Sequence, residues 1–407
     1  MSSIEVNKIR ADFPALTQKV RGKHLVYLDS AASALKPWPV IERISHFNTY
    51  EASNVHRGAH YLSDKATQAF EEAREKVRKF IHASSLEEII WTSGTTGSLN
   101  LIAQSWARHN LKSGDEILVS EMEHHANIVP WQMVCEENGA QLKVIPVTDA
   151  GELDWAQFEK LLTNKTRLVS LTHGSNTLGT YVDIERAAKM AHAKGALISV
   201  DGAQVVATRP VDVQKLDVDF YSFSGHKLFG PYGIGVLYGK KDLLMKMPPY
   251  QGGGSMISKV SFEGTTYNDL PFKFEAGTPN IEGVIALGVA VDYVQKVGFE
   301  KISEIEHELL SYATQEIKKI PGLRIIGEAK DKAPILSFAI EGLHHSDIAQ
   351  ILDQEGVAVR AGHHCTMPLC ARFGITGTVR ASFSIFNNKA DVDALVKAVI
   401  KAKEMLS

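Results

Sequence analysis

The chain has 407 residues, of which 44% are hydrophobic and 22% are charged, and its formal net charge is -3. This length allows a large core and more than one domain, and the charge excludes a basic field that would recruit nucleic acid or an anionic membrane. Three cysteines are too few for a disulfide framework. No signal peptide and no membrane-spanning run is visible, so we expect a cytoplasmic protein in a reducing compartment.

The first two thirds of the chain alternate short apolar runs with helical patterns. A helix is predicted over residues 64–81, because Ala66, Phe70, Ala73, Val77 and Phe80 recur on one face. A second helix is predicted over residues 183–194. Strands are predicted at residues 89–91, 117–120, 142–147, 168–172, 197–200, 220–223 and 234–238. This alternation favours an α/β domain with a mostly parallel sheet.

The last third has a different pattern. Residues 250–280 hold three consecutive glycines and several polar turns, so they are predicted to be loop-rich. A long helix follows from Ile281, then strands at 323–326, 335–340 and 357–360, and a helix from Asp391. We therefore predict an N-terminal segment, 1–20, that packs on a small domain, a large domain, 21–289, and a smaller C-terminal α+β domain, 290–407.

Ligands of open α/β sheets bind beyond the carboxyl ends of the strands, so polar residues at these positions are candidates for a site. Ser224, His226 and Lys227 follow the strand 220–223. A lysine at a strand end in apolar surroundings can have a lowered pKa and act as an amine nucleophile. Ser224 and His226 can donate to a phosphate. Taken alone, this motif is more typical of a surface turn with a solvated lysine than of a catalytic lysine.

Two further strand ends carry polar residues. Asp201 follows the strand 197–200 and can pair with a protonated pyridine nitrogen, while Gln204 can reach a phenolic oxygen. The commoner role of such an aspartate is a helix N-cap. Residues 93–97, SGTTG, follow the strand 89–91 and can close on an anion, although a plain glycine turn with a threonine cap fits equally well.

Histidines and a cysteine complete the candidate set. His124 follows the strand 117–120, where an imidazole can stack on a flat ring and move protons. No HExxH spacing accompanies it, so no metal site is predicted. Cys365 lies in a turn-rich segment beside two histidines, which favours the reactive thiolate. A buried structural cysteine and a zinc ligand are the alternatives, and zinc would need more thiols than Cys365 and Cys370 provide.

Together these motifs resemble the fold-type I pyridoxal-phosphate enzymes and, more narrowly, the group II cysteine desulfurases of the SufS type. The resemblance covers nearly the whole chain. One departure is Gly97, where the family often has a glutamate. The short segment at Cys365 fits group II. The matching motifs are YLDSAAS at 27–33, NVHRGAH at 54–60, GTT at 94–96, MEHHANIVPWQM at 122–133, SNTLGT at 175–180, VDGAQ at 200–204, FSGHKLFGP at 223–231, FEAGTPN at 274–280, RAGHHC at 360–365 and RASF at 380–383.

The resemblance implies a role for each matching residue. Lys227 would hold pyridoxal 5'-phosphate covalently, and Thr278 would reach the cofactor phosphate of a partner subunit in a homodimer. The catalytic residues that it implies are Lys227, Cys365 and His124. The cofactor-binding residues that it implies are Thr95, Thr96, His124, Asn176, Asp201, Gln204, Ser224, His226, Lys227 and Thr278. The substrate-binding residues that it implies are Asn176, Arg360, Arg380, His56 and Arg57.

The implied reaction converts L-cysteine to L-alanine and keeps the sulfur as a persulfide on Cys365. A SufE-type acceptor protein would then take the sulfur, which would supply iron–sulfur cluster assembly. A selenocysteine lyase acting on L-selenocysteine, a kynureninase-like lyase and an aminotransferase remain alternatives within the fold type. A non-catalytic sulfur or redox relay at Cys365 and Cys370, or a metal-binding module around the histidines and cysteines, are alternatives of another class.

Overall fold

The computed structural model describes residues 3–406, with side chains from residue 6 onward. Its centre is a sheet of seven strands, and every strand except Gly235–Gly239 runs in the same direction. The prediction of a mostly parallel sheet is therefore confirmed. In spatial order the strands are Ile89–Thr92, Gly235–Gly239, Phe220–Ser224, Leu197–Asp201, Thr166–Thr172, Glu116–Ser120 and Gln141–Ile145.

Helices flank this sheet and connect its strands. The helix predicted over residues 64–81 is Tyr61–Phe80, and all five of its predicted apolar positions are buried. The helix predicted over residues 183–194 is Ile184–His192, because the Asp183 side chain accepts a hydrogen bond from the Arg186 N–H at 3.0 Å and caps it. The other α-helices are Ser3–Ala11, Trp38–His46, Thr95–Leu101, Arg108–Asn110, Val129–Asn138, Trp155–Leu161, Lys241–Lys246, Ile281–Val297, Phe299–Ile317, His345–Gln354, Met367–Arg372 and Lys389–Leu406.

The C-terminal part contains a second, antiparallel sheet of four strands. The predicted strand 357–360 is divided there, since Val357–Ala358 pairs with Val26–Tyr27 and Arg360–Gly362 enters the sheet. In spatial order its strands are Leu323–Ile326, Ile335–Ile340, Thr378–Ser382 and Arg360–Gly362. The strand Thr378–Ser382 was not predicted, and it carries Arg380.

The helix Ile281–Val297 bears on the division into domains. It is continuous and packs against Tyr61–Phe80, so the predicted boundary at residue 290 lies inside a helix. Gly298, with φ 85°, separates it from the helix Phe299–Ile317, and a division there would leave both helices whole. Arg10 bonds the Asp391 carboxylate at 2.8 Å and so ties the N-terminal segment to the C-terminal part. Residues 1 and 2 of that segment lie outside the described residues.

Residues 250–280 are mostly loop, as predicted, but they also contain a hairpin that was not predicted. Ile257–Ser261 and Gly264–Tyr267 form an antiparallel hairpin whose strands are almost entirely exposed and whose turn residue Phe262 is fully exposed. The strands are short, and no face of the hairpin is buried, so the sequence has no clear alternation. Within residues 3–406, no helix combines the length and the apolar character that crossing a membrane requires.

Candidate active site

Most of the predicted site residues line a single cavity of about 240 Å³. The cavity lies where strands of the central sheet end, since Asp201 and Ser224 are the last residues of their strands. His364, which was not predicted, also lines it. The predicted residues that line it are Thr95, Thr96, His124, Asn176, Asp201, Gln204, Ser224, His226, Lys227, Arg360, Cys365 and Arg380.

Lys227 lies in a short helical turn, Gly225–Lys227, directly after the strand Phe220–Ser224. Burial lowers the pKa of its amine to about 8; the Asp201 carboxylate opposes this shift, and the Arg380 cation adds to it. An amine with this pKa is partly neutral near neutral pH and can act as a nucleophile or a base. Gly225 is required at the start of the turn, because a Cβ there would lie 2.9 Å from Ile234 Cγ2.

Asp201 and Gln204 line the same cavity as this lysine. Asp201 is 6% exposed, and its Oδ1 accepts a hydrogen bond from the Ala203 N–H at 3.0 Å. Burial raises the pKa of the Asp201 carboxyl, and the Lys227 cation opposes that shift. A cationic N–H presented to this buried carboxylate would stabilise its charged form. Gln204 Nε2 donates to the Ala31 carbonyl at 2.7 Å, which fixes the amide at the cavity wall.

Two separate segments meet at one end of the cavity. The Thr95 N–H donates to Ser224 Oγ at 2.8 Å, and the two hydroxyl oxygens also lie 2.8 Å apart. Gly94, with φ 145°, adopts the backbone conformation that allows this approach. The buried His226 Nδ1 has no hydrogen-bond partner among the described residues. Clustered hydroxyls and an unpartnered imidazole nitrogen are a donor set that fits a phosphate group.

His124 contributes a neutral ring to the cavity. Its Nδ1 accepts a hydrogen bond from the Ala126 N–H at 3.0 Å, which leaves the proton of the neutral imidazole on Nε2. Burial, together with the Lys227 cation, lowers the pKa of His124 to about 4. The ring is therefore uncharged at neutral pH, which suits stacking on a flat cofactor, and Nε2–H is the proton that it can donate.

The loop that carries Cys365 is exposed but firmly attached. His364 and Cys365 have φ values of 50° and 57°, in the left-handed region that non-glycine residues seldom adopt. The His125 N–H donates to the Cys365 carbonyl at 2.8 Å, and the Met367 N–H donates to His125 Nε2 at 3.0 Å. Asn176 Nδ2 donates to the His364 carbonyl at 2.7 Å. His125 anchors the loop, a role that the sequence interpretation missed.

Arg360 and Arg380 lie opposite each other on adjacent strands of the C-terminal sheet. Both bind Asp29: Arg380 Nη2 donates to its Oδ1 at 3.0 Å, and Arg360 Nε lies 3.2 Å from both carboxylate oxygens. Arg380 is 2% exposed, and its buried Nε has no hydrogen-bond partner within the part of the chain that the structure describes. Asp29 belongs to the motif at residues 27–33, but the sequence interpretation gave it no role. The Arg380 Nε–H can therefore donate a hydrogen bond to a further carboxylate oxygen.

Arg380→Lys should raise KM for an amino-acid substrate by at least about tenfold, a loss of roughly 1.4 kcal/mol in binding. The planar guanidinium can hold Asp29, the Asn176 carbonyl and a substrate carboxylate together, whereas a lysine ammonium cannot match this geometry. Steady-state kinetics measures the change, with kcat expected to fall less than kcat/KM. The control is Arg372→Lys, which alters an arginine that binds Asp149 outside the cavity. An unchanged KM would remove Arg380 from substrate binding.

Three predicted residues do not line this cavity. His56, with φ 68°, binds Glu71 Oε1 through Nε2 at 2.9 Å and contacts the Phe272 ring at 5.2 Å. Arg57 is exposed beside it, and Thr278 is exposed a few residues beyond Phe272. All three lie on the surface of this chain. Within residues 3–406, no group of three or more histidine, cysteine, aspartate or glutamate side chains is arranged to hold a metal ion.

Similarity to known proteins identifies the family. The aminotransferase class-V family model matches residues 26–395. A probable cysteine desulfurase of Vibrio cholerae is 52% identical over 403 residues, 99% of this chain and 100% of that protein. The cysteine desulfurase of Dickeya dadantii is 49% identical over 403 residues, 98% of this chain and 97% of that protein. This chain belongs to the cysteine desulfurase family.

Solved structures of cysteine desulfurases have the same fold as this chain. The Escherichia coli cysteine desulfurase CsdA is 45% identical, with a TM-score of 0.93 and 99% of each chain covered. The apo cysteine desulfurase of Thermococcus onnurineus is 37% identical, with a TM-score of 0.94 and 98% of each chain covered. The fold-type I prediction is therefore confirmed, and pyridoxal phosphate is the cofactor of the cysteine desulfurase family. The Thr95–Ser224 cluster, the His226 nitrogen and the buried Asp201 fit its phosphate and its pyridinium nitrogen.

Proposed function

We propose that this protein is a pyridoxal-phosphate-dependent cysteine desulfurase, which converts L-cysteine to L-alanine and carries the sulfur as a persulfide on Cys365. One observation supports this assignment above the others. Lys227 and Cys365 line the same cavity, one within it and the other on an exposed loop. An aminotransferase needs the lysine but has no use for an exposed cysteine at this place, and a redox relay needs no buried lysine.

The cofactor, when bound, acts as an electron sink that weakens the bond between the substrate carbon and its sulfur. The chain's own residues then have separate tasks. Lys227 would hold the cofactor and, once free, its Nζ would take the α-proton of the substrate. Asp201 would keep its carboxylate against the cofactor's cationic nitrogen. Arg380 would bind the substrate carboxylate and so direct the sulfur towards Cys365.

Sulfur transfer would proceed by attack of the Cys365 thiolate on the substrate sulfur. A sulfur–sulfur bond forms as the carbon–sulfur bond breaks, and the electron pair of the broken bond stays with the carbon. That carbon takes up a proton and becomes the methyl group of alanine. The direct test is incubation with L-cysteine and measurement of alanine and protein-bound persulfide in equal amounts. L-selenocysteine under the same conditions tests the alternative of a selenocysteine lyase.

We further propose that the protein acts as a homodimer. The exposed hairpin, Ile257–Ser261 with Gly264–Tyr267, is only marginally stable without a covering surface. His56 and Thr278, which the family resemblance assigns to the site, lie on the surface of their own chain, outside its cavity. A second subunit would bring such residues to the first subunit's cavity. If sites are shared, mixing Thr278→Ala with Cys365→Ala should give a hybrid dimer that is more active than either variant alone.

A small acceptor protein of the SufE type should stimulate alanine production. A persulfide on Cys365 blocks the next turnover until another thiolate removes it, so access to the exposed loop would limit the rate. The expected gain is at least about tenfold, a lowering of the barrier by roughly 1.4 kcal/mol. Steady-state alanine production with and without the acceptor measures it, and a small thiol at equal concentration is the control.

No stimulation by any acceptor protein would contradict this delivery of sulfur. The supply of sulfur to iron–sulfur cluster assembly depends on that delivery and stays a prediction. A location in the cytoplasm is a separate prediction.

A further inference from the structure

A buried acid on the helix Phe299–Ile317 lies outside the site described above. Glu306 is 6% exposed, and no described residue donates a hydrogen bond to its carboxyl group or forms an ion pair with it. Burial raises the pKa of this carboxyl well above its usual range, and the Arg209 cation opposes the shift only in part. Burying a polar group without a partner costs free energy, so water or a bound group is expected beside it.

A small inner cavity connects Glu306 with Lys227. Its volume is about 30 Å³, and Lys227, Gln204, Ser30 and Glu306 all line it. A water molecule needs roughly 10–15 Å³ by this measure, so the cavity has room for about two or three. Ser30 Oγ is buried and has no hydrogen-bond partner among the described residues. Two unpartnered polar groups on the wall of one small cavity are the usual environment of buried water.

A wider outer cleft, of about 470 Å³, begins on the other side of Glu306. Glu306, Thr208 and Pro334 line both the inner cavity and the outer cleft. The cleft reaches solvent, because the side chain of Asp331 on its wall is 63% exposed. None of the cleft's lining residues lines the cavity that contains Cys365. The two routes from Lys227 to solvent are therefore separate.

We propose that Glu306 is a proton-relay residue, which connects Lys227 to the outer cleft through water in the inner cavity. The proposal rests on the desulfurase function, in which Lys227 Nζ takes a proton from the substrate. A neutral carboxyl group gives its proton to water on one side and takes one from water on the other, so Glu306 ends each cycle unchanged. The substrate's α-proton and the two thiol protons make three, alanine takes two of them, and the third leaves from Lys227 Nζ when the persulfide on Cys365 is ionised. An acceptor protein docked at the Cys365 loop would cover the opening of the active-site cavity, whereas the outer cleft would stay open to solvent.

The test compares Glu306→Gln with Glu306→Asp, and its control is Glu304→Gln, an exposed glutamate on the same helix. The first measurement is the infrared C=O band of a protonated carboxylic acid in the apoprotein at neutral pH. One component of this band should shift in D₂O in the parent and in Glu304→Gln and should be missing from Glu306→Gln, whereas components from Asp201 and Glu123, whose carboxyl pKa values burial also raises, should remain. A Glu306→Gln spectrum that loses no component relative to the parent, or a Glu306 component that does not shift within hours in D₂O, would overturn the relay.

The second measurement is exchange of the α-hydrogen of L-alanine for deuterium, followed by NMR in D₂O. Glu306→Gln should slow it about tenfold, less than the 10²–10⁴-fold typical of direct proton transfer, because Glu306 acts through water. Glu306→Asp should restore most of the rate. If Glu306→Gln and the parent exchange the α-hydrogen of L-alanine at equal rates, the relay is rejected, and the desulfurase function is not affected by that result. A parent that forms no alanine from L-cysteine would instead reject the desulfurase function, and melting temperatures check that each variant folds.

Discussion

Lys227→Ala should reduce desulfuration by about 10³-fold or more, since both the covalent attachment and a positioned base are lost, and a base alone contributes 10²–10⁴-fold. Burial lowers the pKa of the Lys227 amine to about 8, so a substantial neutral fraction exists near physiological pH. Two measurements check the prediction: alanine formed from L-cysteine, and cofactor retained on the denatured chain after borohydride reduction. Alanine formation and the reducible attachment of the cofactor should both be lost.

The control for Lys227 is another lysine with a similar environment. Burial also lowers the pKa of Lys36 to about 8, but Lys36 donates to the Ala34 and His226 carbonyls and does not line the cavity. Lys36→Ala should therefore keep the reducible cofactor linkage. If Lys227→Ala still held the cofactor through a reducible bond, another amine would be the attachment point, and the assignment of Lys227 would be wrong.

Cys365→Ala should lower sulfide release from L-cysteine by at least about 10²-fold, because the nucleophile that accepts the sulfur is removed. The yellow cofactor should stay bound, since Cys365 lies on an exposed loop and Lys227 is unchanged. Visible absorbance reports the cofactor, and a sulfide assay with a reducing thiol reports the reaction. Activity with L-selenocysteine should fall less, because selenium is a better leaving group than sulfur.

Cys370→Ala is the matched control for this variant. Cys370 is buried five positions further along, and burial raises the pKa of its thiol, so it is a poor nucleophile. Cys370→Ala should retain most of the activity, and Cys135→Ala, which alters another buried cysteine, should do the same. Undiminished desulfuration in Cys365→Ala would mean that the sulfur leaves by another route.

The parallel sheet and the residues at its strand ends could be predicted because local sequence determines both. Apolar runs bounded by glycine and polar residues defined the strands, and the central strands Leu197–Asp201 and Phe220–Ser224 begin at the predicted residues and extend one residue further. Asp201 and Ser224 then followed from the rule that open sheets bind ligands at their carboxyl ends. The roles assigned to the individual site residues stay predictions.

Features that depend on distant residues could not be predicted. The strand Thr378–Ser382 has a buried arginine at its centre, which is stable there only because Asp29, 351 positions away, pairs with Arg380. No local sequence pattern predicts the ion pair between Arg380 and Asp29. The anchoring of the Cys365 loop by His125 is another case, because adjacent histidines are compatible with several roles until the loop is in place.

The attachment of the Cys365 loop has a consequence for competition between thiols. The hydrogen bonds from His125 and Asn176 hold the Cys365 backbone in a left-handed conformation that an unattached loop would seldom adopt. A nucleophile held in a productive geometry reacts as if it were present at an effective molarity of about 10⁵ M or higher. Millimolar thiols in solution cannot match that value. They can take sulfur only after Cys365 has received it.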